Sequence, residues 1–352
     1  LLTMHELDGA PAPADPRHAL ARVIERFAPL GLTPVAAVEL EFYLLDRAPG
    51  PDGRPQPAAS PVSGRRPGQL QAYWLDDLDD MAPVLQDVFR ACAMQGIPAE
   101  TLIAEYSPGQ FEIVLRHRAD ALRAADEAVM YKRLVRGVAA RHGLDATFMA
   151  KPFAERAGSG MHLHVSLETA DGANAFADED PAGGPLLRHA VAGTMATMAE
   201  SMAVFAPNAN SYRRFRRNSY APMAPAWGIN NRSVALRVPA GPAAARHVEH
   251  RVAGADANPY LALAAVLAGM HHGIVSRLDP GPPVSGNAYA RLAPSLPLDW
   301  ARALDAFAAS TLLKDYLGER FCEIYLAIKR AEAERFGAQV SELDYAWYLR
   351  TA

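Results

Sequence analysis

Hydrophobic and polar positions alternate with a period of two in several short stretches, separated by longer segments of helical spacing. The clearest alternation runs through residues 158–167, Gly-Ser-Gly-Met-His-Leu-His-Val-Ser-Leu. Met161, Leu163, Val165 and Leu167 fall on one side of a strand, and His162, His164 and Ser166 on the other. Such a strand buries one face in a core and lines something polar with the other. The glycines before it let the backbone turn sharply and let a ligand approach closely. Two histidines at i and i+2 are suited to a metal or phosphate, although half-exposed strand positions often carry such pairs with no ligand.

Other stretches repeat the pattern. Residues 17–29 have helical spacing through Leu20, Val23, Ile24 and Phe27, ended by Gly31 and Pro34. Residues 35–45 read as a strand with Val38, Leu40, Phe42 and Leu44 toward the core, which leaves Glu39 and Glu41 together on the other face, about 7 Å apart. Residues 46–69, rich in Pro, Gly, Ser and Arg, read as a mobile excursion. A helix is expected over 78–95. A turn at Pro108-Gly109 leads into a strand over 111–115, where Glu112 alternates with Phe111, Ile113 and Leu115. A long helix over 119–142 and a short strand over 146–151 precede the histidine strand.

Beyond a polar turn, residues 186–205 predict one helix, and 210–220 form an arginine-dense irregular stretch with interleaved aromatics. Strands are expected over 230–238, with Arg237 opposite Leu236 and Val238, and over 246–252, with Glu249 and Arg251 on one face. An Ala-rich buried helix over 257–274 follows, then helices near 298–316, 319–336 and 341–349. No tandem repeat is visible.

The chain has 352 residues, half of them hydrophobic, and a net charge of -4. That length suits about two domains or one large unit. The charge gives no footprint for nucleic acid. Two cysteines, Cys92 and Cys322, make no disulfide framework, so a reducing cytoplasm is expected. No run approaches the roughly 20 apolar residues of a membrane-spanning helix, and the start shows no signal peptide. Position 1 is Leu, which suggests that a front segment is missing.

Each strand places a carboxylate, imidazole or guanidinium where a sheet lining a polar cavity would want it. Glu39, Glu41, Glu105, Glu112 and Glu249 gathered in one cavity would repel one another. At about 4 Å and an effective dielectric near 20, each close pair costs about 4 kcal/mol. Cations would neutralise them, and carboxylates with an imidazole suit magnesium or manganese. The arginines then read as clamps for phosphate and carboxylate, the equipment of phosphoryl transfer.

Six segments together resemble the catalytic domain of the glutamine synthetase superfamily. They are Val-Glu-Leu-Glu-Phe at 38–42, the Glu105-to-Glu112 pair ending Pro-Gly-Gln-Phe-Glu, the Gly-Ser-Gly-Met-His-Leu-His-Val-Ser-Leu strand, Asn-Ser-Tyr-Arg-Arg at 210–214, Asn-Arg-Ser-Val-Ala-Leu-Arg at 231–237, and Val-Glu-His-Arg with Ala-Asn-Pro-Tyr-Leu at 248–261. No Walker or Rossmann glycine fingerprint competes. The resemblance implies an α+β fold whose curved antiparallel sheet lines a metal and ATP cavity, with helices packed outside. Residues 17–352 would be that domain. Residues 1–16 would be a linker remnant from an absent amino-terminal β-grasp domain.

The resemblance also implies two sites for Mg2+ or Mn2+, one at Glu41, Glu105 and Glu112, the other at Glu39, His162 and Glu249. His164, Ser166, Arg232, Arg237 and Glu100 would contact the nucleotide. Arg214, Arg251 and Gly158 would hold glutamate, and Arg214, Arg232 and Tyr220 would stand at the chemistry. The implied reaction phosphorylates the γ-carboxylate of glutamate with ATP, after which an amine displaces phosphate. A cytoplasmic homo-oligomeric ring of the dodecamer type is implied when the amino-terminal domain is present, with no nucleic-acid or membrane partner.

Three positions depart from the ammonia-using pattern. Tyr220 stands where a glutamate shapes the ammonium pocket, Ala157 where an asparagine precedes Gly158, and His247 where an arginine precedes Glu249. These changes spare metal and phosphate positions and alter the amine side. They resemble the γ-glutamylpolyamine synthetase branch, which joins glutamate to larger amines. The alternatives are an ordinary glutamine synthetase, a non-catalytic relative, whose mark would be lost metal glutamates, and guanidino phosphotransfer, against which the glutamate-binding arginines argue.

Overall fold

The computed structural model describes residues 1–351. Its organising element is β1 (Leu32–Asp46), a 15-residue strand. Around it lie β2 (Ala99–Ala104), β3 (Gln110–Leu115), β4 (Leu144–Thr147), β5 (Met161–Thr169), β6 (Trp227–Ile229), β7 (Leu236–Val238) and β8 (Val248–His250). They form one open eight-stranded sheet in the order β2-β3-β1-β5-β8-β7-β6, with β4 beside the end of β1. The ladders are antiparallel except β6–β7, which is parallel. The expected antiparallel sheet is therefore mixed at one edge. The alternation predicts one strand over 230–238; instead Asn230, in the left-handed region at φ 47°, turns the chain between β6 and β7.

One face of the sheet is the core. Val38 sits opposite Leu163, Leu40 opposite Ile113, Phe42 opposite Phe111 and Val165 opposite Val248, all buried. Helices cover that face: α1 (Pro16–Glu25), α2 (Leu75–Asp80), α3 (Ala82–Met94), α4 (Ala121–Arg141), α5 (Pro185–Ala196), α6 (Met202–Phe205) and α7 (Pro259–Ser276), followed by α8 (Ala288–Arg291), α9 (Trp300–Ala309), α10 (Thr311–Leu317), α11 (Glu319–Gly337) and α12 (Glu342–Tyr348). By length and composition α7 could cross a membrane, contrary to the expectation that no run comes close. With 72% of it buried inside the protein, it is a core helix. It starts on Asn258, whose side chain accepts from Tyr260 N and Leu261 N, with Pro259 in the first turn.

Local chemistry explains where expected helices split. Residues 186–205 break after α5, where Thr194, Thr197 and Ser201 each donate a hydroxyl to the carbonyl four residues back. That back-bonding bends a helix. Residues 298–316 divide at Ser310, whose hydroxyl accepts from Leu313 N and starts α10. Pro83 opens α3 and separates it from α2. The excursion at 46–69, expected to be mobile, is tied down: Ala58 N donates to Leu44 O at 2.9 Å, and Ser60 is buried beneath Asp80.

Candidate active site

The polar face of the sheet becomes a site through register alone. Glu39 lies directly opposite His162, Glu41 opposite Glu112, and His164 opposite Glu249, which in turn faces Arg237. Directly opposed residues in antiparallel strands share a face, so β1, β3, β5, β7 and β8 all contribute to one basin. The six residues expected as metal ligands are all buried or half-buried, so they do not scatter over the outer surface.

Two groups of close donors form there, Glu39–His162–Glu249 and Glu41–Glu112–His162, the ligand atoms of each lying within 4.8 Å of one another. His162 belongs to both. Its Nδ1 is 3.6 Å from Glu39 and 3.8 Å from Glu249, and its Nε2 is 4.0 Å from Glu41. Glu105 stands outside both groups and accepts from Tyr106 N at 3.1 Å. The first group coincides with one expected metal set. The second shares Glu41 and Glu112 with the other set and has His162 in place of Glu105.

Electrostatics supports a divalent ion. Burial, reinforced by the Glu105 charge, pushes the Glu41 carboxyl up to about 8. Burial and the Glu39 charge push Glu112 well above its usual range, and burial also raises Glu105. Burial works against Glu39 and Glu249 too, but His162 and His164 hold Glu39 well below the carboxylate range, and Arg251 with His164 brings Glu249 down to about 2. The His162 Nδ1 atom is buried with no hydrogen-bond partner. An orphaned imidazole nitrogen among crowded carboxyls is a donor set that fits a hard or borderline dication.

The arginines surround this basin. Arg237 donates to Glu249 Oε2 and to Asn230 Oδ1, both at 2.7 Å, and Arg251 donates to Glu249 Oε1. Arg214 is 5% exposed and donates to Val252 O at 3.0 Å. Arg232 donates to the Tyr73 hydroxyl at 2.8 Å. A Cβ on Gly158 would stand 2.6 Å from Arg214 Cγ and 2.7 Å from Ala150 O, so only glycine lets Arg214 pass there. Tyr220, 60% exposed, borders a cleft of about 690 Å³ shared with Arg232, Asn218, Asn287 and Tyr289. Ser166 is half-buried further along β5. Glu100 is apart from the basin, exposed and paired with Arg116 at 3.2 Å.

Other residues of the site lie outside the alternating pattern. Gln110 donates its side-chain amide to Glu41 Oε2 at 3.1 Å and to Gly158 O at 3.0 Å, while Gly160 N donates to Glu41 Oε2 at 2.8 Å. The departure at His247 acquires a physical meaning. Its Nδ1 donates to Ala245 O, so its Nε2 accepts from His164 Nδ1 at 3.0 Å, and His164 Nε2 donates to Glu39 at 2.6 Å. With both nitrogens donating, His164 is an imidazolium, and its raised pKa follows from the Glu39 hydrogen bond overcoming burial. His250, on the core face beside Phe205, is fully buried with neither ring nitrogen partnered. The alternation that flagged Glu249 and Arg251 carries no signal for it.

Comparison with known proteins bears on all of this. The family described as glutamine synthetase, catalytic domain, matches residues 13–348. Gamma-glutamylputrescine synthetase PuuA of Escherichia coli strain K12 is 46% identical over 352 residues, which is 100% of this chain and 75% of that protein. Glutamate–isopropylamine ligase of a Pseudomonas species is 34% identical over 357 residues, covering 99% of this chain and 76% of that protein. Among solved structures, the ligand-free form of GmaS superposes with a TM-score of 0.86 at 32% identity, covering 97% of this chain and 78% of its own.

Proposed function

The chain belongs to the glutamine synthetase family through its catalytic domain, and from that membership we propose that it is an ATP-dependent carbon–nitrogen ligase joining the γ-carboxylate of glutamate to a primary amine. The observation that carries the amine reading is Tyr220: an exposed aromatic borders the cleft where ammonia-using members carry a glutamate. The names of the relatives, a gamma-glutamylputrescine synthetase and a glutamate–isopropylamine ligase, support the same substrate class.

The chemistry needs an activated acid, because hydroxide is a poor leaving group from a carboxylate. The γ-carboxylate oxygen attacks the terminal phosphorus of ATP, and ADP departs with the electrons of the broken bond. The amine then adds to the acyl carbon of γ-glutamyl phosphate, phosphate leaves, and the nitrogen sheds a proton. Glu39, His162 and Glu249 would hold one Mg2+ or Mn2+, and Glu41 and Glu112 with Glu105 or His162 the other. When bound, such ions screen phosphate charge and organise the in-line geometry.

The protein's own groups do the rest. Arg214 and Arg251 hold the carboxylates of glutamate, with the Gly158 backbone beside them. Arg237 and Arg251 are each braced on Glu249, so the guanidinium planes are fixed before substrate arrives. Arg232 stands at the cleft and meets charge developing on the transferred phosphoryl group. His164 and Ser166 contact the nucleotide side. Tyr220 offers a ring face to the stem or charge of the amine. Cys92 and Cys322 are free and buried, which suits a cytoplasmic enzyme, and the family likeness favours a homo-oligomer.

The test is phosphate release with glutamate, ATP and a panel of ammonia, ethylamine, putrescine and spermidine. We expect at least one primary amine to exceed ammonia in kcat/KM by about tenfold or more, the effect of some 1.4 kcal/mol in the transition state. Ammonia outperforming every amine would return the chain to ordinary glutamine synthesis.

A further inference from the structure

Arg214 is a cation sealed in the interior beside the basin. Among the described residues its guanidinium donates only to the neutral Val252 carbonyl. Burial pulls its pKa down, and Glu41 and Asp256 are the carboxylates that offset this. Glu41 takes Gly160 N and Gln110 on Oε2 and turns Oε1 toward the gap beside Gly160 that Arg214 Nη2 also borders. The second carboxylate, Asp256, falls between the Val-Glu-His-Arg and Ala-Asn-Pro-Tyr-Leu segments and belongs to neither.

Asp256 lies in the turn between β8 and α7. Its Oδ2 accepts from Ser211 Oγ at 2.6 Å and from Asn208 Nδ2 at 2.8 Å, fixing the start of the 3-10 turn (Ser211–Arg214) that carries the arginine. Its Oδ1 is buried without a partner. A Cβ on Gly254 would overlap that Oδ1 and stand 3.4 Å from Arg214 Nη1, so the carboxylate and the guanidinium border the same gap. The turn is pinned from both sides. Lys132, from α4, donates its ammonium to Ala255 O at 2.6 Å and to Ala257 O at 3.5 Å. Ala255 N donates to Ser159 O at 3.0 Å, inside the glycine loop.

We propose that Asp256 is a positioning residue for glutamate binding: seated by Lys132, it holds the Arg214 turn in register with the Gly158–Gly160 loop without touching substrate. This rests on reading Arg214 as a clamp for a glutamate carboxylate. A buried hydrogen-bonded carboxylate organises its partners more strongly than the matching amide does. Asp256→Asn keeps shape and removes charge. Ser211→Ala removes the hydroxyl's bond to Asp256, together with the one it accepts from Asn208 N, and leaves the charge.

In the full chain, steady-state kinetics with glutamate, ATP and the best amine should show about a tenfold rise in glutamate KM for Asp256→Asn, equivalent to some 1.4 kcal/mol. The KM for ATP and kcat should stay within about twofold. Ser211→Ala and Lys132→Met should shift glutamate KM in the same direction by less. Calorimetric binding of glutamate alone should weaken in parallel. A folded Asp256→Asn protein with unchanged glutamate KM would overturn the proposal, as would equal losses in both KM values and kcat. Wild-type protein that neither binds nor turns over glutamate would overturn the ligase reading along with it. Wild-type turnover with an unaffected Asp256→Asn removes this inference alone.

Discussion

Tyr220 sits in the left-handed region at φ 56°, two residues after Asn218 at φ 58°. A bulky side chain rarely adopts that backbone, which costs on the order of 1 kcal/mol or more. The loop therefore presents the ring to the cleft at some expense in stability. Tyr220→Glu replaces a ring face with a carboxylate. We expect kcat/KM for bulky amines to fall by roughly 2- to 30-fold, the range of a cation–π contact, while ammonia use rises. An unchanged amine profile would show that Tyr220 does not face the amine. Residues of this kind were legible only against a family pattern. Glu39, Glu41, Glu112, His162 and Glu249 could be read from alternation alone, because a charged residue on an otherwise apolar strand is conspicuous. Asp256, Gln110 and His247 act through side-chain or backbone partners more than 40 residues away, and no spacing rule encodes them.

The decisive element is β1. Its alternation is visible in the chain, but the site needs the pairing register, since slipping one residue would turn every carboxylate into the core. That register is set by the two faces together, with Leu40 against Ile113 on one side and Glu41 against Glu112 on the other. Helix boundaries were less legible, because hydroxyl back-bonding at Thr197 and Ser201 leaves no periodic trace. The packing of α5 on α7 was not legible at all. A Cβ on Gly193 would overlap the Gly269 carbonyl oxygen, and one on Gly273 would overlap His189 O. We expect Gly193→Ala to lower stability by several kcal/mol, on the order of an overpacked core. Gly137, exposed in α4 with nothing within 4 Å of its Cβ position, gives the contrast. Gly137→Ala should gain roughly 0.5–1 kcal/mol. Thermal melts of the two variants decide it; equal shifts would mean the helices can part without loss.

At the scale of the whole molecule, the acidic basin joins β1, β3, β5 and β8, so an ion bound there should act as a tie across the sheet. The pH dependence has a definite sign. Glu41, raised to about 8 in the ion-free fold, keeps a proton that the unfolded chain would lose near 4.5. The contribution of Glu41 to ion-free stability therefore falls as pH climbs from about 4.5 toward 8, while His250, held down to about 3 by burial, works the other way below about pH 6.5. An ion must displace that proton, so its affinity should rise over the same window, by up to about tenfold per pH unit for one proton released. At a hundredfold excess over Kd, Mn2+ should add about 2.7 kcal/mol. Melting curves at pH 6 and pH 8, with Mn2+ or with chelator, should show the larger gain at pH 8. A gain independent of pH would mean that Glu41 is not a ligand.

One imidazole stands between the two donor groups, turning Nδ1 toward Glu39 and Glu249 and Nε2 toward Glu41. A neutral ring has a single lone pair, so His162 can ligate on one side only, and its remaining hydrogen must then point at the opposite carboxylates. An ion held at either position would thereby choose the tautomer that the other meets, so the placement of one hydrogen atom would couple the two halves of the basin.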